Sequence, residues 1–386
     1  MEKVIIIGSG LSGLSCSYYL NNKDIKTQIF EKKSYLGGRA NSEFDNHNIY
    51  DIGFQVLLNN YHEVKKILNY DCLNLNYFNS GASILHQNSI INIYNPIAHP
   101  LLAFKSSFNK IFTLSDYYQL IFSLFLNKNK QNLSTKTYLK DTFSPKSIDL
   151  FFKPFFSGVF LDDSLENELK YFIKLLKKFA FGRAAIPQKG MADLPNSIFK
   201  KCNQTKLHLN SELYKIQDNQ AYFKNGHIEK FDKIILALPL NIINKIIDLN
   251  INVSYKSNTT CYFSTNKIIK SKNILLVADQ SYQINSIQYL SNISKSYSKL
   301  PGTYFSISCN KAYVDVENII MECKKIMNIK NDLMLHKTYN IKNALHREKK
   351  QINSKGNIYF CGDWSEEPSI DGAIKSGRLI AKNIIN

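Results

Sequence analysis

The sequence predicts an α/β fold in which the two ends of the chain meet beside one parallel sheet. A run of β-branched residues over Lys3 to Ile7 is typical of a buried parallel strand, and a glycine-rich turn follows it directly. Nine of the sixteen glycines lie near the two ends, at positions 8, 10, 13, 37, 38, 356, 362, 372 and 377. Because glycine is favoured where backbone approaches a ligand closely, both ends are predicted to contact one phosphate-bearing ligand.

The first turn, GSGLSG over residues 8–13, lies between this strand and a predicted amphipathic helix over Leu14 to Leu20. In this context Gly8 permits the tight turn and Gly10 lets the backbone reach a pyrophosphate. Gly13 lets the helix pack closely on the strand. The phosphates would then lie at the positive end of the helix. The pattern predicts a Rossmann-like, dinucleotide-binding domain.

The second predicted strand, Lys26 to Phe30, ends at Glu31, an acid suited to the two hydroxyls of an adenosine ribose. The following residues, EKKSYLGGR over 31–39, resemble the extended fingerprint of FAD enzymes of the glutathione-reductase-like superfamily. The resemblance implies that the Gly37-Gly38-Arg39 turn contacts the pyrophosphate. A planar guanidinium matches phosphate oxygens. The alternative is a surface turn with a solvated arginine.

The closing segment contains a strand pattern over Asn357 to Cys361, then Gly362-Asp363, then SIDGA over 369–373, which opens a helix. This ending resembles the superfamily of FAD-containing amine oxidases, protoporphyrinogen oxidases and phytoene desaturases. The resemblance implies that Asp363 binds the ribityl chain and that the helix N-terminus faces the flavin pyrimidine. A helix N-terminus stabilises negative charge, such as that of reduced flavin. The alternative for Asp363 is a loop acid or a helix cap.

Two further segments resemble the same superfamily. YDIGFQ over 50–55 is similar to a segment that passes along the flavin ring, and LNSELYKI over 209–216 is similar to a strand whose backbone binds adenine near Leu213. The residues predicted to bind FAD non-covalently are Gly8, Ser9, Gly10, Leu11, Ser12, Gly13, Glu31, Lys32, Gly37, Gly38, Arg39, Gly53, Phe54, Gln55, Leu213, Gly362, Asp363, Ser369, Ile370 and Ala373.

These positions predict a discontinuous FAD-binding domain formed by residues 1–75, 180–245 and 345–386. Residues 76–179 and 246–344 are predicted to form a mixed α+β substrate domain. Within it, residues 96–126 have the spacing of one or two amphipathic helices. Residues 151–160 contain five phenylalanines and resemble an element of phytoene-desaturase relatives. They either line a slot for a long apolar substrate or form a packed helical core.

Between Gly53 and Gly356 the sequence has no second GxGxxG turn, so no NAD(P)H module is predicted and the organic substrate itself would reduce the flavin. The leading hypothesis is an oxidase or desaturase that transfers hydride from a C–H bond of a hydrophobic, carotenoid-like substrate, with dioxygen or a quinone as acceptor. In monoamine-oxidase-like members an aromatic residue holds the amine, but the matching position here is Ser369. A flavin amine oxidase acting on a small amine or polyamine and a non-redox, flavin-dependent isomerase remain as alternatives. No catalytic residue and no metal ligand is predicted.

Composition bounds the partners and the compartment. The 386 residues carry a formal charge of +18, with 49 Lys and Arg, of which only four are Arg. Spread-out lysine favours a solvated surface or attraction to an anionic membrane over nucleic-acid binding. Seven cysteines without a CxxC pair fit a reducing compartment. With the first strand at the N-terminus and no uncharged apolar run long enough to span a bilayer, we expect a cytoplasmic protein, either free or peripheral to a membrane.

Overall fold

The computed structural model describes residues 2–53, 56–108, 110–125, 133–330 and 332–386. The helices in these ranges are α1 (Leu11–Asn21), α2 (His62–Ile67), α3 (Pro100–Ser107), α4 (Leu114–Phe125), α5 (Thr135–Thr142), α6 (Pro145–Ser147), α7 (Lys153–Phe160), α8 (Leu169–Phe181), α9 (Asp193–Phe199), α10 (Leu240–Ile247), α11 (Leu290–Ile293), α12 (Val316–Met327) and α13 (Ile370–Ile385).

The strands in the same ranges are β1 (Val4–Ile7), β2 (Thr27–Phe30), β3 (Ser42–Phe44), β4 (Ile49–Asp51), β5 (Leu57–Leu58), β6 (Leu75–Tyr77), β7 (Gly81–His86), β8 (Ser89–Tyr94), β9 (Ala184–Pro187), β10 (Thr205–His208), β11 (Leu213–Gln217), β12 (Gln220–Phe223), β13 (Ile228–Lys230), β14 (Lys233–Leu236), β15 (Tyr255–Thr265), β16 (Ile274–Val277), β17 (Ser286–Gln288), β18 (Thr303–Cys309), β19 (Met334–His346), β20 (Ser354–Lys355) and β21 (Ile358–Phe360).

The two ends of the chain share a six-stranded sheet in the order β10-β2-β1-β14-β21-β20, parallel except for the pair β20-β21. Strand β1 is fully buried because both faces of the sheet are covered. Val4 and Ile6 pack with α1 and α13, whereas Ile5 and Ile7 pack toward the small antiparallel sheet β11-β12-β13. The predicted α/β fold is confirmed.

Helix α1 is not amphipathic, so that prediction is wrong. It begins at Leu11 rather than Leu14, and almost all of its side chains are buried. The reason is tertiary: α1 is enclosed by the parallel sheet, α9 and α13, which leaves no polar face in water. The segment over 209–216, which resembles a strand, is a strand only from Leu213, where β11 begins. Residues 209–212 form a loop after β10, which belongs to a different sheet.

A second, seven-stranded sheet has the order β19-β15-β18-β17-β16-β7-β8 and is antiparallel except for the pair β7-β16. Alternate residues of β15 and β18 face opposite sides. Phe263 and Phe305 pack with α12, whereas Tyr262 and Tyr304 pack against β4. The face of the sheet that carries Tyr262 and Tyr304 therefore meets β4, in the segment that follows the Gly37-Gly38-Arg39 turn.

The phenylalanine-rich segment forms a π-helical stretch over 148–152 and then α7. Phe152, Phe156 and Phe160 are buried in one cluster with Phe143 and Phe172. The ring pairs Phe143–Phe152 and Phe152–Phe172 are tilted, with centroids 4.4 and 6.3 Å apart. Of the two interpretations of this segment, the structure supports the packed helical core.

We propose the two-domain division of the sequence analysis with one change, at the boundary near residue 345. The strands of the parallel sheet lie in residues 4–30, 205–236 and 354–360. The strands of the seven-stranded sheet lie in residues 81–94 and 255–346, so that β19 crosses the proposed boundary by two residues. A boundary inside a strand is unfavourable, so we place it after His346.

Helix α2 is attached to α13 by a cluster of charges around Glu63. Its carboxylate accepts from Nε and Nη2 of Arg378 at 2.7 and 3.0 Å and from Nζ of Lys66 at 2.9 Å. Burial alone would raise the pKa of Glu63, but the hydrogen bonds and charges of Arg378 and Lys66 lower it to about 2. A depressed carboxyl pKa stabilises the fold above the unfolded-state pKa, and this contribution is lost as the pH falls through the folded-state value.

We therefore expect Glu63→Gln to lower the free energy of unfolding at neutral pH by on the order of 2–3 kcal/mol. The difference from wild type should shrink as the pH falls from about 4.5 toward 2. Urea unfolding of both proteins across this range measures it. The control is Glu212→Gln, which removes an exposed pair with Lys224 and should change stability little. A pH-independent difference would contradict the prediction.

Candidate functional site

The glycine turn after β1 is shaped by two close approaches. Gly8 has φ of +102°, and a Cβ there would lie 2.5 Å from the carbonyl oxygen of Ala237. A Cβ on Gly13, in the first turn of α1, would lie 2.1 Å from the carbonyl oxygen of Gly8. Only glycine fits at either position, so α1 can start directly over the ends of β1 and β14.

Gly10 differs from these two glycines. It is the N-cap of α1 with φ of −67°, which any residue can adopt, and a Cβ there would meet no atom of the described residues within 4 Å. Packing within the protein therefore does not require glycine at this position. A ligand that contacts the backbone at the helix N-terminus would require it.

The second glycine turn lies against the first. The N–H of Gly37 donates to the carbonyl oxygen of Ser9 at 2.9 Å, and a Cβ on Gly38 would lie 3.5 Å from the Cα of Gly10. Both Gly37 and Gly38 have positive φ, +101° and +60°. The two turns therefore form one continuous backbone surface at the start of α1, which is rich in N–H groups.

Glu31 is buried at the end of β2, beside the first turn. One carboxylate oxygen accepts from the N–H and Oγ of Ser9 at 2.9 and 2.8 Å, and the other accepts from the N–H of Lys33 at 2.9 Å. Lys32 is exposed. The N–H of Ser211 donates to the Glu31 carbonyl at 2.8 Å, which holds the residues before β11 close to this acid.

Leu213 is the first residue of β11 and is buried in the same cluster as Ile5, Ile7 and Phe30 of the parallel sheet. It is therefore close to the end of the sheet at which Glu31 lies. This placement agrees with a role in which the backbone near Leu213 binds an adenine ring and Glu31 binds the adjoining ribose. That role stays a prediction.

The two ends of the chain meet in an ion pair between Arg39 and Asp363, with Nη2 2.7 Å from Oδ1. Nη1 of Arg39 also donates to the backbone oxygens of Asn343 and Ala344. Burial would lower the pKa of the guanidinium, but the adjacent Asp363 carboxylate raises it above its usual value. Arg39 therefore stays cationic beside the N-terminus of α1, where negative charge is favoured.

Helix α13 begins beside this pair. Ser369 is its N-cap, and Oγ of Ser369 accepts from the N–H of Gly372 at 3.0 Å. Ile370 and Ala373 lie in the first turn. A serine hydroxyl at this position satisfies one of the unpaired helix N–H groups, which explains the residue type without reference to a substrate.

Helices α1 and α13 are packed tightly together. A Cβ on Gly377 would lie 2.1 Å from the carbonyl oxygen of Ser12, and Oγ of Ser15 donates to the carbonyl oxygen of Ile374 at 2.7 Å. The close packing fixes the N-terminus of α13 relative to the N-terminus of α1. The first and last segments of the chain therefore pack as one unit.

The segment that resembles the flavin-ring motif is anchored by buried hydrogen bonds. The carboxylate of Asp51 accepts from Oγ of Ser42 at 2.6 Å, from the N–H of Met191 at 2.8 Å and from the hydroxyl of Tyr297 at 2.7 Å. Burial raises the pKa of Asp51 above its usual value, and these hydrogen bonds offset only part of that rise. Asp51 is thus a structural anchor, which had no assigned role in the sequence.

The same segment contacts the seven-stranded sheet. The hydroxyl of Tyr262 on β15 donates to the carbonyl oxygen of Asp51 at 2.8 Å, and that of Tyr304 on β18 donates to the carbonyl oxygen of Ile49 at 2.9 Å. Gly53 has φ of +78°, and a Cβ there would lie 2.5 Å from Cδ1 of Ile341 on β19. The predicted site residues Phe54 and Gln55 lie outside the described residues.

His346 was not singled out by any sequence motif, yet it is buried beside Asp363. Its Nε2 lies 2.9 Å from the carbonyl oxygen of Asp363 and its Nδ1 lies 3.1 Å from that of Glu348. Burial lowers the pKa of His346. The ring holds the backbone of the turn that carries Asp363, so His346 is a positioning residue. An isolated histidine in the sequence gives no signal of such a role.

Helix α8 contributes a second group that the sequence did not indicate. Nζ of Lys178 lies 2.7 Å from Oδ2 of Asp371 and 4.4 Å from the centroid of the Tyr61 ring. The hydroxyl of Tyr171 donates to the carbonyl oxygen of Pro368 at 3.2 Å. These side chains surround the first turn of α13. Tyr171 and Lys178 are seven residues apart on α8, a spacing found on any amphipathic helix. The sequence alone therefore does not distinguish these two residues from ordinary helix positions.

These residues fit a dinucleotide. The N-terminus of α1 and the guanidinium of Arg39 would bind its diphosphate, and Glu31 would bind a ribose. Internal packing does not require glycine at position 10, but a ligand bound at the N-terminus of α1 would require it. Asp363 and the N-terminus of α13 lie beside these groups, on the side nearest the seven-stranded sheet.

A family model for flavin-containing amine oxidoreductases matches residues 11–275. The chain belongs to this family. The predicted membership of the amine oxidase and protoporphyrinogen oxidase superfamily is confirmed, and so is the prediction of a flavin-dependent oxidoreductase.

Individual relatives are distant. Protoporphyrinogen oxidase 2 of Arabidopsis thaliana is 22% identical over 178 residues, which cover 44% of this chain and 35% of that protein. The match spans about a third of the length of this curated relative. Among solved structures, an oxidoreductase from Methanosarcina mazei has a TM-score of 0.77 at 15% identity, covering 98% of this chain and 100% of that one. A putative protoporphyrinogen oxidase from Exiguobacterium sp. 255-15 has a TM-score of 0.74 at 13% identity, covering 99% and 98%. At these identities the likeness is one of fold.

Proposed function

We propose that the protein binds FAD non-covalently and oxidises a C–H bond of a hydrophobic substrate. The observation that carries the proposal is the junction at residues 49–53. There the segment expected to run along the flavin ring is bonded to the seven-stranded sheet through Tyr262 and Tyr304. A ring held at this junction would have the nucleotide-binding sheet on one side and the proposed substrate domain on the other.

When bound, the flavin would supply the hydride acceptor. The protein's own residues do the rest. The N-terminus of α1 and Arg39 neutralise the diphosphate, and Glu31 accepts hydrogen bonds from ribose hydroxyls. Asp363, oriented by Arg39 and by His346, accepts from the ribityl chain. The N-terminus of α13 stabilises negative charge at the edge of the ring that gains it.

The identity of residue 369 favours a substrate other than a caged amine. Ser369 caps α13, and its hydroxyl is bonded within the helix. A hydrophobic, carotenoid-like molecule requires no aromatic cage to hold a cation. We propose dioxygen or a quinone as the electron acceptor, since the sequence has no second glycine turn for NAD(P)H. We propose a cytoplasmic protein that contacts a membrane from one side.

A flavin amine oxidase is the second candidate, and the description of the matching family favours it. The two candidates differ in a measurable product. Oxidation of an amine by dioxygen releases hydrogen peroxide in an amine-dependent manner, whereas desaturation of a polyene lengthens its conjugation and changes its own visible spectrum.

The visible spectrum of the purified protein, before and after anaerobic addition of separate pools of amines and polyenes, tests the proposal. We expect a flavin band that the polyene pool bleaches. Bleaching by the amine pool alone would select the second candidate. A flavin band that neither pool bleaches would contradict both and favour the isomerase. A protein that takes up no flavin on reconstitution would contradict the site itself.

A further inference from the structure

Helix α4 carries a stripe of apolar side chains on the outside of the protein. Leu114, Tyr118 and Phe125 are 64, 67 and 73% exposed, and Ile121 and Phe122 are about half exposed. They recur every three or four residues, so they lie along one side of the helix. The opposite side packs into the phenylalanine-rich core through Leu120 and Leu124.

Helix α3 extends this apolar area. Leu101 is 76% exposed, and Leu102 and Phe104 are also exposed. The hydroxyl of Tyr117 on α4 donates to the carbonyl oxygen of Ala103 at 2.7 Å, and the rings of Phe104 and Tyr117 are 5.8 Å apart. The two helices are therefore fastened together. We call the exposed side chains of α3 and α4 the α3–α4 surface.

A surface of this kind is unusual on a protein that stays alone in water. Single exposed apolar residues are common, but a contiguous group of leucines and aromatic rings marks an interaction site. The rings of Tyr118 and Phe122 stack on one another at 6.3 Å with an interplanar angle of 11°. This pairing removes only part of their area from water, so the group gains from a partner that covers it.

The exposed charges on α3, α4 and the turn between them have one sign. Within the described residues of 97–125, the charged side chains are those of Lys105, Lys110 and Asp116. Asp116 is buried, where its carboxylate accepts from the N–H groups of Thr113 and Ser144 at 2.8 and 2.7 Å. Lys105 and Lys110 are exposed. The outside of this region therefore presents apolar side chains and cations, with its acid turned inward.

We propose that the α3–α4 surface binds the interface of a bilayer that contains anionic lipid. Helix α4 would lie in the plane of the membrane with its apolar stripe among the acyl chains and the lysines at the headgroups. Its twelve residues are roughly 18 Å long, which is too short to cross the hydrocarbon core. None of the helices in the described ranges combines the length and apolar character needed to span a bilayer.

Charge is what favours a membrane over a second copy of the chain. A symmetric dimer through this surface would bring the same lysines of both copies together, at an electrostatic cost. Anionic headgroups complement them. The inference specifies the membrane contact named in the proposed function, and it does not depend on the substrate or on the flavin.

Sedimentation with vesicles tests the inference. The full-length protein is mixed with vesicles of phosphatidylcholine alone and of phosphatidylcholine with phosphatidylglycerol. We expect it to sediment with the anionic vesicles, and the double variant Phe122→Ser/Phe125→Ser to bind at least about tenfold more weakly. Both side chains are exposed, so the fold should be kept. The matched control, Ile268→Ser/Met321→Ser, removes exposed apolar side chains elsewhere and should bind as wild type does.

Charge reversal in Lys105→Glu/Lys110→Glu should abolish the preference for anionic vesicles. Wild-type protein that stays in solution with both kinds of vesicle would overturn the inference, as would unchanged binding of the serine variant. Sedimentation velocity without lipid detects the other occupant: a dimer that the serine variant dissociates, with no vesicle binding, would assign the surface to a second copy. Flavin content is measured on the same samples, so failure of the proposed cofactor is seen separately.

Discussion

Replacing Gly10 with valine should leave the apoprotein folded and remove its flavin. The backbone at Gly10 has φ of −67° and ψ of 173°, which valine adopts without strain. The new side chain would meet no atom of the described residues near its Cβ. We expect a cost to stability of about 1 kcal/mol or less, from the poorer N-cap. The same side chain would lie where the proposed diphosphate approaches the start of α1.

The measurement is the visible flavin absorbance of the purified variant relative to wild type, together with thermal unfolding of the two apoproteins. The informative comparison is Gly13→Ala. A Cβ at Gly13 would lie 2.1 Å from the carbonyl oxygen of Gly8, so this smaller change should damage folding itself. Normal flavin content in Gly10→Val would remove the first glycine turn from the site.

Asp363→Ala should weaken FAD binding by about 1.5–3 kcal/mol, or roughly 10- to 150-fold in Kd, because a charge-assisted hydrogen bond is lost. Arg39 should keep its position in this variant, since it also donates to the backbone of Asn343 and Ala344. Titration of apoprotein with FAD, followed by flavin fluorescence, gives both dissociation constants.

The matched control is Glu348→Ala, which removes an exposed carboxylate from the same region while keeping the backbone oxygen that faces His346. We expect its affinity for FAD to equal that of wild type. Asp363→Asn keeps an oxygen toward Arg39 and should fall between the two. If Asp363→Ala binds FAD as wild type does, Asp363 has only a structural role as the partner of Arg39.

Local patterns in the sequence were sufficient to predict the glycine-rich start of the parallel sheet. The patterns are a β-branched strand, three glycines with fixed spacing and an acid after the second strand. Each residue type is explained by contacts with near neighbours in the chain. The α/β class followed from these patterns. The acid at position 31 lies beside the turn because parallel strands end at the same edge of a sheet.

Three features depended on contacts that no local pattern encodes. Arg39 and Asp363 are 324 residues apart in sequence and 2.7 Å apart in space. His346 acquires its partner from a turn that follows another strand. Helix α1 is enclosed by the parallel sheet, α9 and α13, and no pattern within its own eleven residues encodes these neighbours.

The sequence by itself determined the fold class and the family, because these depend on spacing within short segments, and it predicted the residues that would face a dinucleotide. Tertiary structure decided which side chains orient Asp363, that the phenylalanine-rich segment is a core, and that α4 keeps a bare apolar stripe. A periodic apolar pattern predicts a helix with an apolar side, but it does not say whether that side is buried. Whether the apolar side of such a helix is covered by protein, or is left for water or a lipid bilayer, depends on how the rest of the chain packs.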